Sequence, residues 1–186
     1  MNKIEILKSE KDGLKIKADI HRMAKEGWES ISEDDIQRLK WYGLFLRNPT
    51  PGFFMLRVRI PNGFSFSHQV RALCFIAETF GNGIIDITTR QQVQLRQLKI
   101  ENVPEVFDLL EEAGLTSTQT GMDNVRNIIG CPVAGLNPKE RVNAYAQVKA
   151  LTEHILNNSE FSNLPRKFNV AISGCAADCV HAETQD

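Results

Sequence analysis

The sequence predicts an α+β fold in which an antiparallel or mixed sheet carries helices on one face. One observation is that apolar and basic side chains alternate over residues 53–63, as along a half-buried strand. Another is the element order that follows over residues 67–114, helix–strand–strand–helix. Elements in this order form packed layers around one core. A chain of 186 residues suffices for one domain or two small ones.

Residues 1–46 are predicted to be helical. Residues 19–28 are amphipathic and end at Gly27, and Ser32 precedes acidic residues as the N-cap of the next helix. Residues 44–52 are predicted to form a loop, because Pro49 prevents a helix there.

Alternation in the first strand separates an apolar face from a basic one. Leu56, Val58 and Ile60 lie on one face, and Met55, Arg57 and Arg59 on the other. After a turn at Pro61–Gly63, Ser67 is predicted to cap a helix. Its apolar stripe comprises Val70, Leu73, Cys74, Ala77 and Phe80, which would bury Cys74 in the core.

Residues 83–100 are predicted to form two short strands, and Asn102 is predicted to cap a helix that ends at Gly114. The polar positions of these strands are Asp86, Thr88, Arg90, Gln92, Gln94 and Arg96. Each polar face of the predicted sheet therefore carries arginine. Since helices cover the apolar face, the cationic face is free to bind a ligand.

The amino-acid composition of the chain changes after Leu115. Residues 116–138 are rich in Gly, Asn, Ser and Thr and predict an ordered loop of the kind that lines sites. A helix over residues 139–158 and a strand over residues 167–173 follow.

Composition limits the classes of function. The formal net charge of −1 indicates no general affinity for polyanions, so an anion site must be a local cluster of cations. Nucleic acid is disfavoured as a ligand, because no aromatic residues interleave with the arginines of the strands. No apolar run approaches the length of about 18 residues that a membrane span requires. The N-terminus has no signal or transit pattern, which predicts a cytoplasmic protein.

The candidate ligands of an anion are Arg57, Arg59, Arg90, Arg96, Arg126, Arg166 and Lys167. Convergent guanidinium groups suit a ligand that bears several carboxylates or phosphates. The alternative for any one of them is ordinary solvated surface charge.

Cysteine spacing raises a second possibility. Cys175 and Cys179 could form half of a metal or iron–sulfur site, and Cys131 with His181 could complete a Cys3His zinc site.

Several longer stretches resemble the N-terminal portion of the siroheme-dependent nitrite and sulfite reductases. They are MLRVRIPNG, TTRQ, GMDNVRN and LPRKFN, within similarity that covers nearly the whole chain. The resemblance implies a helical arm (residues 1–46), a ferredoxin-like half-domain (47–114) and the first siroheme and iron–sulfur domain (115–186), cut short at its C-terminus. It also implies siroheme bridged by cysteine to a [4Fe–4S] cluster, ferredoxin as electron donor, and a monomer at full length.

The resemblance also implies roles for individual residues. Substrate-contacting arginines fall on Arg59 and Arg126, and the active-site lysine falls on Lys167. The resemblance implies that an asparagine at the position of Asn169 is typical of the nitrite reductases, whereas the sulfite reductases have lysine there. Nitrite is therefore the expected substrate. Siroheme carboxylates would be held by Arg57, Thr88, Thr89, Arg90, Gln92, Gln94 and Arg166.

The pattern departs from the family at the cluster ligands. Those cysteines are expected in a second half that would follow Asp186, and we interpret Cys175 and Cys179 as their counterpart in an internal duplication, without an assigned metal. Three alternatives remain open: a sulfite reductase, a zinc-binding module, and a non-catalytic tetrapyrrole-binding protein.

Overall fold

The computed structural model describes residues 2–186 and begins with a helical arm. Its helices are α1 (Lys3–Glu10), α2 (Ile20–Glu26) and α3 (Glu33–Leu39), joined by short 3-10 turns. Two predicted signals are confirmed. Gly27 ends α2 with a φ of 82°, and the Ser32 hydroxyl accepts a hydrogen bond from the amide of Asp35 at the start of α3. We call residues 2–42 the N-terminal arm.

A four-stranded antiparallel sheet follows the arm. Its strands are β1 (Leu44–Arg47), β2 (Thr50–Val58), β3 (Ile85–Ile87) and β4 (Val93–Lys99), in the spatial order β1-β2-β4-β3. The predicted loop over residues 44–52 is wrong, because β1 pairs with β2 along the sheet. Pro49 excludes a helix but lies in the turn between these two strands, where a missing amide hydrogen disturbs no ladder.

Helices α4 (Ser67–Phe80) and α5 (Val103–Glu112) pack against this sheet. Their buried side chains share one core with those of the strands: Leu56, Val58, Leu73, Ile76, Leu95, Val106 and Leu110. The predicted α+β fold is confirmed, with the apolar face of β2 turned to the helices as expected.

Two details of α4 differ from the prediction. Phe66, rather than Ser67, occupies the N-cap position, and its amide donates to the side chain of Gln69. Cys74 is exposed, because the buried stripe runs through Leu73, Ile76 and Ala77 instead. Successive helical residues are about 100° apart, so Cys74 points away from that stripe.

The C-terminal part packs around a smaller core of Val125, Ile128, Val148 and Ile155. It contains β5 (Ile129–Gly130), α6 (Ala144–Ile155) and β6 (Ala171–Ile172), and β5 pairs with β6 in parallel. The predicted helix over 139–158 is shorter, since Asn143 caps it by accepting from the amide of Ala146. Within residues 2–186, no helix has both the length and the apolar character needed to traverse a bilayer.

Candidate anion-binding site

Arg57 projects from the polar face of β2 toward the loop over residues 115–128, which we call the Arg126 loop. Its Nη1 donates to the carbonyl of Thr120 at 3.0 Å. Its guanidinium also lies 4.8 Å from the ring centroid of Phe45 on the neighbouring strand. A planar cation over an aromatic face is stabilised by the ring quadrupole. Arg57 is therefore fixed in orientation but remains partly accessible.

Arg59 lies just beyond β2 and is almost fully buried, with 2% of its surface exposed. Its guanidinium donates to four backbone carbonyls of the Arg126 loop: Thr118 (3.4 Å), Gln119 (2.9 Å), Val125 (3.0 Å) and Arg126 (3.0 Å). A guanidinium has five N–H donors, so one remains. Arg59 thus holds the Arg126 loop in a closed turn.

Arg126 occupies the centre of the site. Its Nη1 donates to the Thr120 carbonyl at 2.6 Å, so it shares an acceptor with Arg57. Its backbone amide donates to the carbonyl of Phe168 at 2.9 Å. The segment that carries the predicted active-site lysine, residues 162–169, therefore runs beside the Arg126 loop. We call it the Lys167 segment.

Arg90 enters from the turn between β3 and β4. Its Nη2 donates to the carbonyl of Asn127 at 3.0 Å and its Nη1 to the side chain of Gln185 at 2.8 Å. Asn127 is fully buried and returns the contact, since its side-chain amide donates to the carbonyl of Arg90 at 2.9 Å. This exchange holds the turn against the Arg126 loop.

The four guanidinium groups of Arg57, Arg59, Arg90 and Arg126, which we call the arginine cluster, form no close ion pair. No carboxylate of residues 2–186 lies within 4.0 Å of any of them. Only more distant carboxylates act on them: Asp186 raises the pKa of Arg90 and Asp123 raises the pKa of Arg126, each against the larger effect of burial. Burial lowers the pKa of each, and the other cluster members lower those of Arg57, Arg59 and Arg126 further. The pKa falls to about 10 for both Arg59 and Arg126.

Several buried donors at the site also have no protein partner. They are the Nε atoms of Arg57, Arg90 and Arg126 and the Nε2 atom of Gln92. Buried polar groups are normally hydrogen-bonded, and buried charges are normally paired. Unmatched donors beside unpaired cations favour an anionic ligand that is rich in oxygen acceptors.

The other predicted residues lie in varied positions. Thr88 accepts from the amide of Gln92 at 3.1 Å, and Gln94 is the cross-strand partner of Arg57. Thr89, Arg166 and Lys167 are exposed, and Asn169 contacts Asp186 at 2.8 Å. Arg96 does not join the cluster, because it forms an ion pair with Asp86.

The cysteines do not gather into the Cys3His zinc site considered from the sequence. Cys131 is buried, Cys179 is exposed, and the Cys175 sulfur accepts from the side chain of Asn137 at 3.6 Å. Over the described part of the chain, no three His, Cys, Asp or Glu side chains are placed to hold one metal ion.

Sequence reasoning missed three contributors to the site. Phe45 is missed because the sequence predicts a loop over residues 44–52, where the structure has β1. Thr120 acts through its backbone carbonyl, which leaves no signal in residue type. Asn127 stands in the quoted GMDNVRN motif, and its place one residue after Arg126 could have identified it.

Comparison with protein families gives two matches. Residues 47–113 match the nitrite/sulfite reductase ferredoxin-like half domain, and residues 121–186 match the nitrite and sulphite reductase 4Fe–4S domain. The N-terminal arm lies outside both.

Individual proteins agree with these matches. The chain is 50% identical to a ferredoxin–nitrite reductase of Leptolyngbya laminosa, over 100% of this chain and 38% of that protein. It is 41% identical to a chloroplastic ferredoxin–nitrite reductase of Arabidopsis thaliana, over 94% of this chain and 32% of that protein.

Among solved structures, the NirA protein of Mycobacterium tuberculosis superposes with a TM-score of 0.85 at 30% identity. That superposition covers 90% of this chain and 34% of the other. The chain thus spans less than two fifths of the length of these relatives, and it aligns with the N-terminal part of the curated reductases. With both domain matches and this superposition, the chain belongs to the nitrite and sulfite reductase family.

Proposed function

We propose that this chain forms the anion-binding side of a ferredoxin-dependent nitrite reductase, which catalyses the six-electron reduction of nitrite to ammonia. The arginine cluster is the observation that carries the proposal. Its guanidinium groups converge from one strand and its end, a turn and a loop, and no carboxylate lies within 4.0 Å of them in residues 2–186. Such an arrangement is stabilised by a ligand with several negative charges.

Siroheme fits this description, because its rim bears several carboxylates. Arg57, Arg90, Arg166, Thr88, Thr89, Gln92 and Gln94 are the residues that would hold it. The unpartnered Nε atoms of Arg57 and Arg90 and the unpartnered Nε2 of Gln92 support this assignment. When bound, siroheme coupled to a [4Fe–4S] cluster supplies the redox chemistry, and the protein supplies orientation and charge.

Nitrite would be bound by the remaining cations. Arg126 contributes a guanidinium in a setting that already excludes much of the solvent, where a positive charge acts strongly on the negative charge that builds up as N–O bonds break. Lys167 extends from the neighbouring segment and would deliver protons. Direct contact by Arg59 stays a prediction, since four of its donors already bind the Arg126 loop.

Asn169 favours nitrite over sulfite in this proposal. Its side chain is neutral and lies two residues after Lys167, where a lysine would add a second ammonium. Sulfite reduction removes more oxygen from a more highly charged anion, which the extra ammonium would favour. Sulfite reductase is the second candidate, because the matched domains carry both activities in their descriptions.

The test uses the protein purified at its natural length from its own cells. Reduced ferredoxin is supplied as donor, and kcat/KM is measured for nitrite and for sulfite. The proposal expects ammonia as product and a preference for nitrite. A preference for sulfite would establish the second candidate, and no turnover of either anion would refute both.

A further inference from the structure

The N-terminal arm lies outside both matched domains, yet it contacts both segments of the site. The ammonium of Lys8 on α1 donates to the Asp123 carboxylate at 2.7 Å and to the carbonyl of Leu164 at 2.7 Å. Its side chain is only 6% exposed. One cation therefore joins the Arg126 loop to the Lys167 segment.

A second connection starts at Trp41, at the end of the arm. Its indole Nε1 donates to the Ser162 hydroxyl at 3.2 Å, and that hydroxyl donates to Asn124 Oδ1 at 2.8 Å. Asn124 Nδ2 then donates to the carbonyl of Gly121 at 2.7 Å. Trp41 and Asn124 are 0% exposed and Ser162 is 5% exposed, so water does not replace these bonds.

This chain of hydrogen bonds has one direction. An indole N–H can only donate, so the Ser162 hydroxyl oxygen accepts from Trp41. The single hydrogen of that hydroxyl is then donated to Asn124. The Asn124 amide is thereby oriented with its nitrogen toward Gly121. Gly121 follows Thr120, whose carbonyl accepts from both Arg57 and Arg126. The arm thus acts on the acceptor that places two guanidinium groups.

The backbone bonds between the two segments lie beside these contacts. The amide of Leu164 donates to the carbonyl of Asp123 at 2.9 Å, and the amide of Phe168 donates to the carbonyl of Asn124 at 3.1 Å. Lys8 contacts Asp123 and Leu164, and Ser162 contacts Asn124. These contacts therefore lie on residues that form the backbone bonds between the two segments. A slip of the pairing would move Lys167 relative to Arg126.

We propose that the N-terminal arm is the positioning element of the anion site. Lys8 and Trp41 hold the Arg126 loop and the Lys167 segment in register, and so set how tightly the substrate anion is bound. The part that concerns nitrite rests on the function proposed above. The part that concerns the register rests only on the hydrogen bonds described here and not on that function.

Hydrogen exchange of the native protein tests the register without any need for turnover. Trp41→Phe and Lys8→Met are compared with Tyr42→Phe, a matched control in the arm whose hydroxyl bonds only to the carbonyl of Leu14. Loss of one buried bond should speed exchange at the amides of Leu164, Phe168 and Arg126 about fivefold or more. Unchanged exchange in both variants would overturn the inference. Should Trp41→Phe fail to fold, Ser162→Ala removes the same bond.

Nitrite kinetics test the consequence for binding. We expect Trp41→Phe and Lys8→Met to raise KM for nitrite about fivefold while kcat stays within about twofold, with Tyr42→Phe unchanged. Equal KM values in Trp41→Phe and Tyr42→Phe would overturn the link to binding. Faster exchange in a protein that reduces no nitrite would support the register and refute the proposed function. Normal nitrite reduction by the wild type, with unchanged exchange in both variants, would support the proposed function and refute the role of the arm in the register.

Discussion

The guanidinium of Arg59 donates a 3.0 Å hydrogen bond to the backbone carbonyl of Arg126, so one cation of the site holds the chain that carries another. Arg59 makes three further bonds to the same loop and is almost fully buried. Arg126 instead keeps an unpartnered Nε beside the shared Thr120 carbonyl. The two arginines therefore have different roles. Arg59 holds the shape of the Arg126 loop, and Arg126 offers positive charge to a bound anion.

Replacing Arg126 should impair substrate binding with little loss of stability. In Arg126→Met the Thr120 carbonyl keeps its bond to Arg57, so the loop retains an anchor. Loss of a preorganised cation should lower kcat/KM for nitrite about 100-fold or more. The matched control is Arg96→Met, which breaks the Asp86 ion pair outside the cluster and should retain near-normal kcat/KM. Comparable losses in the two variants would remove Arg126 from the site.

Replacing Arg59 should instead impair folding. Arg59→Met leaves four backbone carbonyls of the Arg126 loop without a donor, at a cost of at least about 3 kcal/mol in the free energy of unfolding. Arg59→Lys offers only three donors on a smaller head and should recover part of that loss. Thermal unfolding of the purified protein measures both. Arg22→Met, which disturbs only exposed ion pairs, is the control, and equal midpoints for it and Arg59→Met would contradict the prediction.

The depressed pKa of Arg126, about 10 against a usual 12.5, predicts a dependence of stability on pH. Between those values the unfolded chain keeps a proton that the folded chain has lost, so the free energy of unfolding rises with pH there. The main cause of the lower pKa is burial, with repulsion from Arg57 and Arg90 added to it, and below about pH 9 Arg126 keeps its proton in both states, so this contribution is constant. The stability of the wild type relative to Arg126→Met should therefore improve by about 1 kcal/mol between pH 9 and pH 11. Denaturant unfolding at the two pH values decides, and a constant difference would mean that the pKa of Arg126 is not depressed.

Asn169 is predicted to set the choice of anion. Asn169→Lys adds an ammonium near Lys167 and should shift the ratio of kcat/KM for nitrite and sulfite toward sulfite, by about tenfold for one favourable charge interaction. Asn169→Gln, which keeps an amide, should leave the ratio near that of the wild type. Both ratios are measured with the same electron donor. An unchanged ratio in the lysine variant would remove the basis for preferring nitrite.

The sheet could be predicted from the sequence because alternation along β2 and β4 is strong, but its cationic face could be predicted only in part, since Arg59 is buried beyond β2 and Arg96 pairs with Asp86. Leu56 and Val58 are buried as predicted and Arg57 lies at the site, whereas Arg90 reaches the site from the turn between β3 and β4 and not from a strand. The strand at Leu44–Arg47 could not be identified, since the proline beside it has the same signal in a loop and in a hairpin turn. Cys74 was misplaced because Ile76 provides a second apolar stripe together with Leu73 and Ala77, and the helix buries that stripe.

The roles within the arginine cluster were beyond sequence reasoning for a different reason. Arg59 and Arg126 are both arginines of the quoted motifs, and only the backbone path of residues 118–126 buries the first and leaves the Nε of the second unpartnered. The contacts of Lys8 and Trp41 span more than a hundred residues along the chain, from the arm to Leu164 and Ser162. No local sequence pattern predicts a contact between residues so far apart along the chain.

The siroheme content of the purified protein tests the central claim most directly. Absorbance and iron analysis are applied to the wild type at its natural length, to the double variant Arg57→Met/Arg90→Met, and to Arg96→Met as control. We expect one siroheme per polypeptide in the wild type and in the control, and a loss of most of it in the double variant. Full siroheme content in the double variant, or none in the wild type, would contradict a tetrapyrrole site at the arginine cluster.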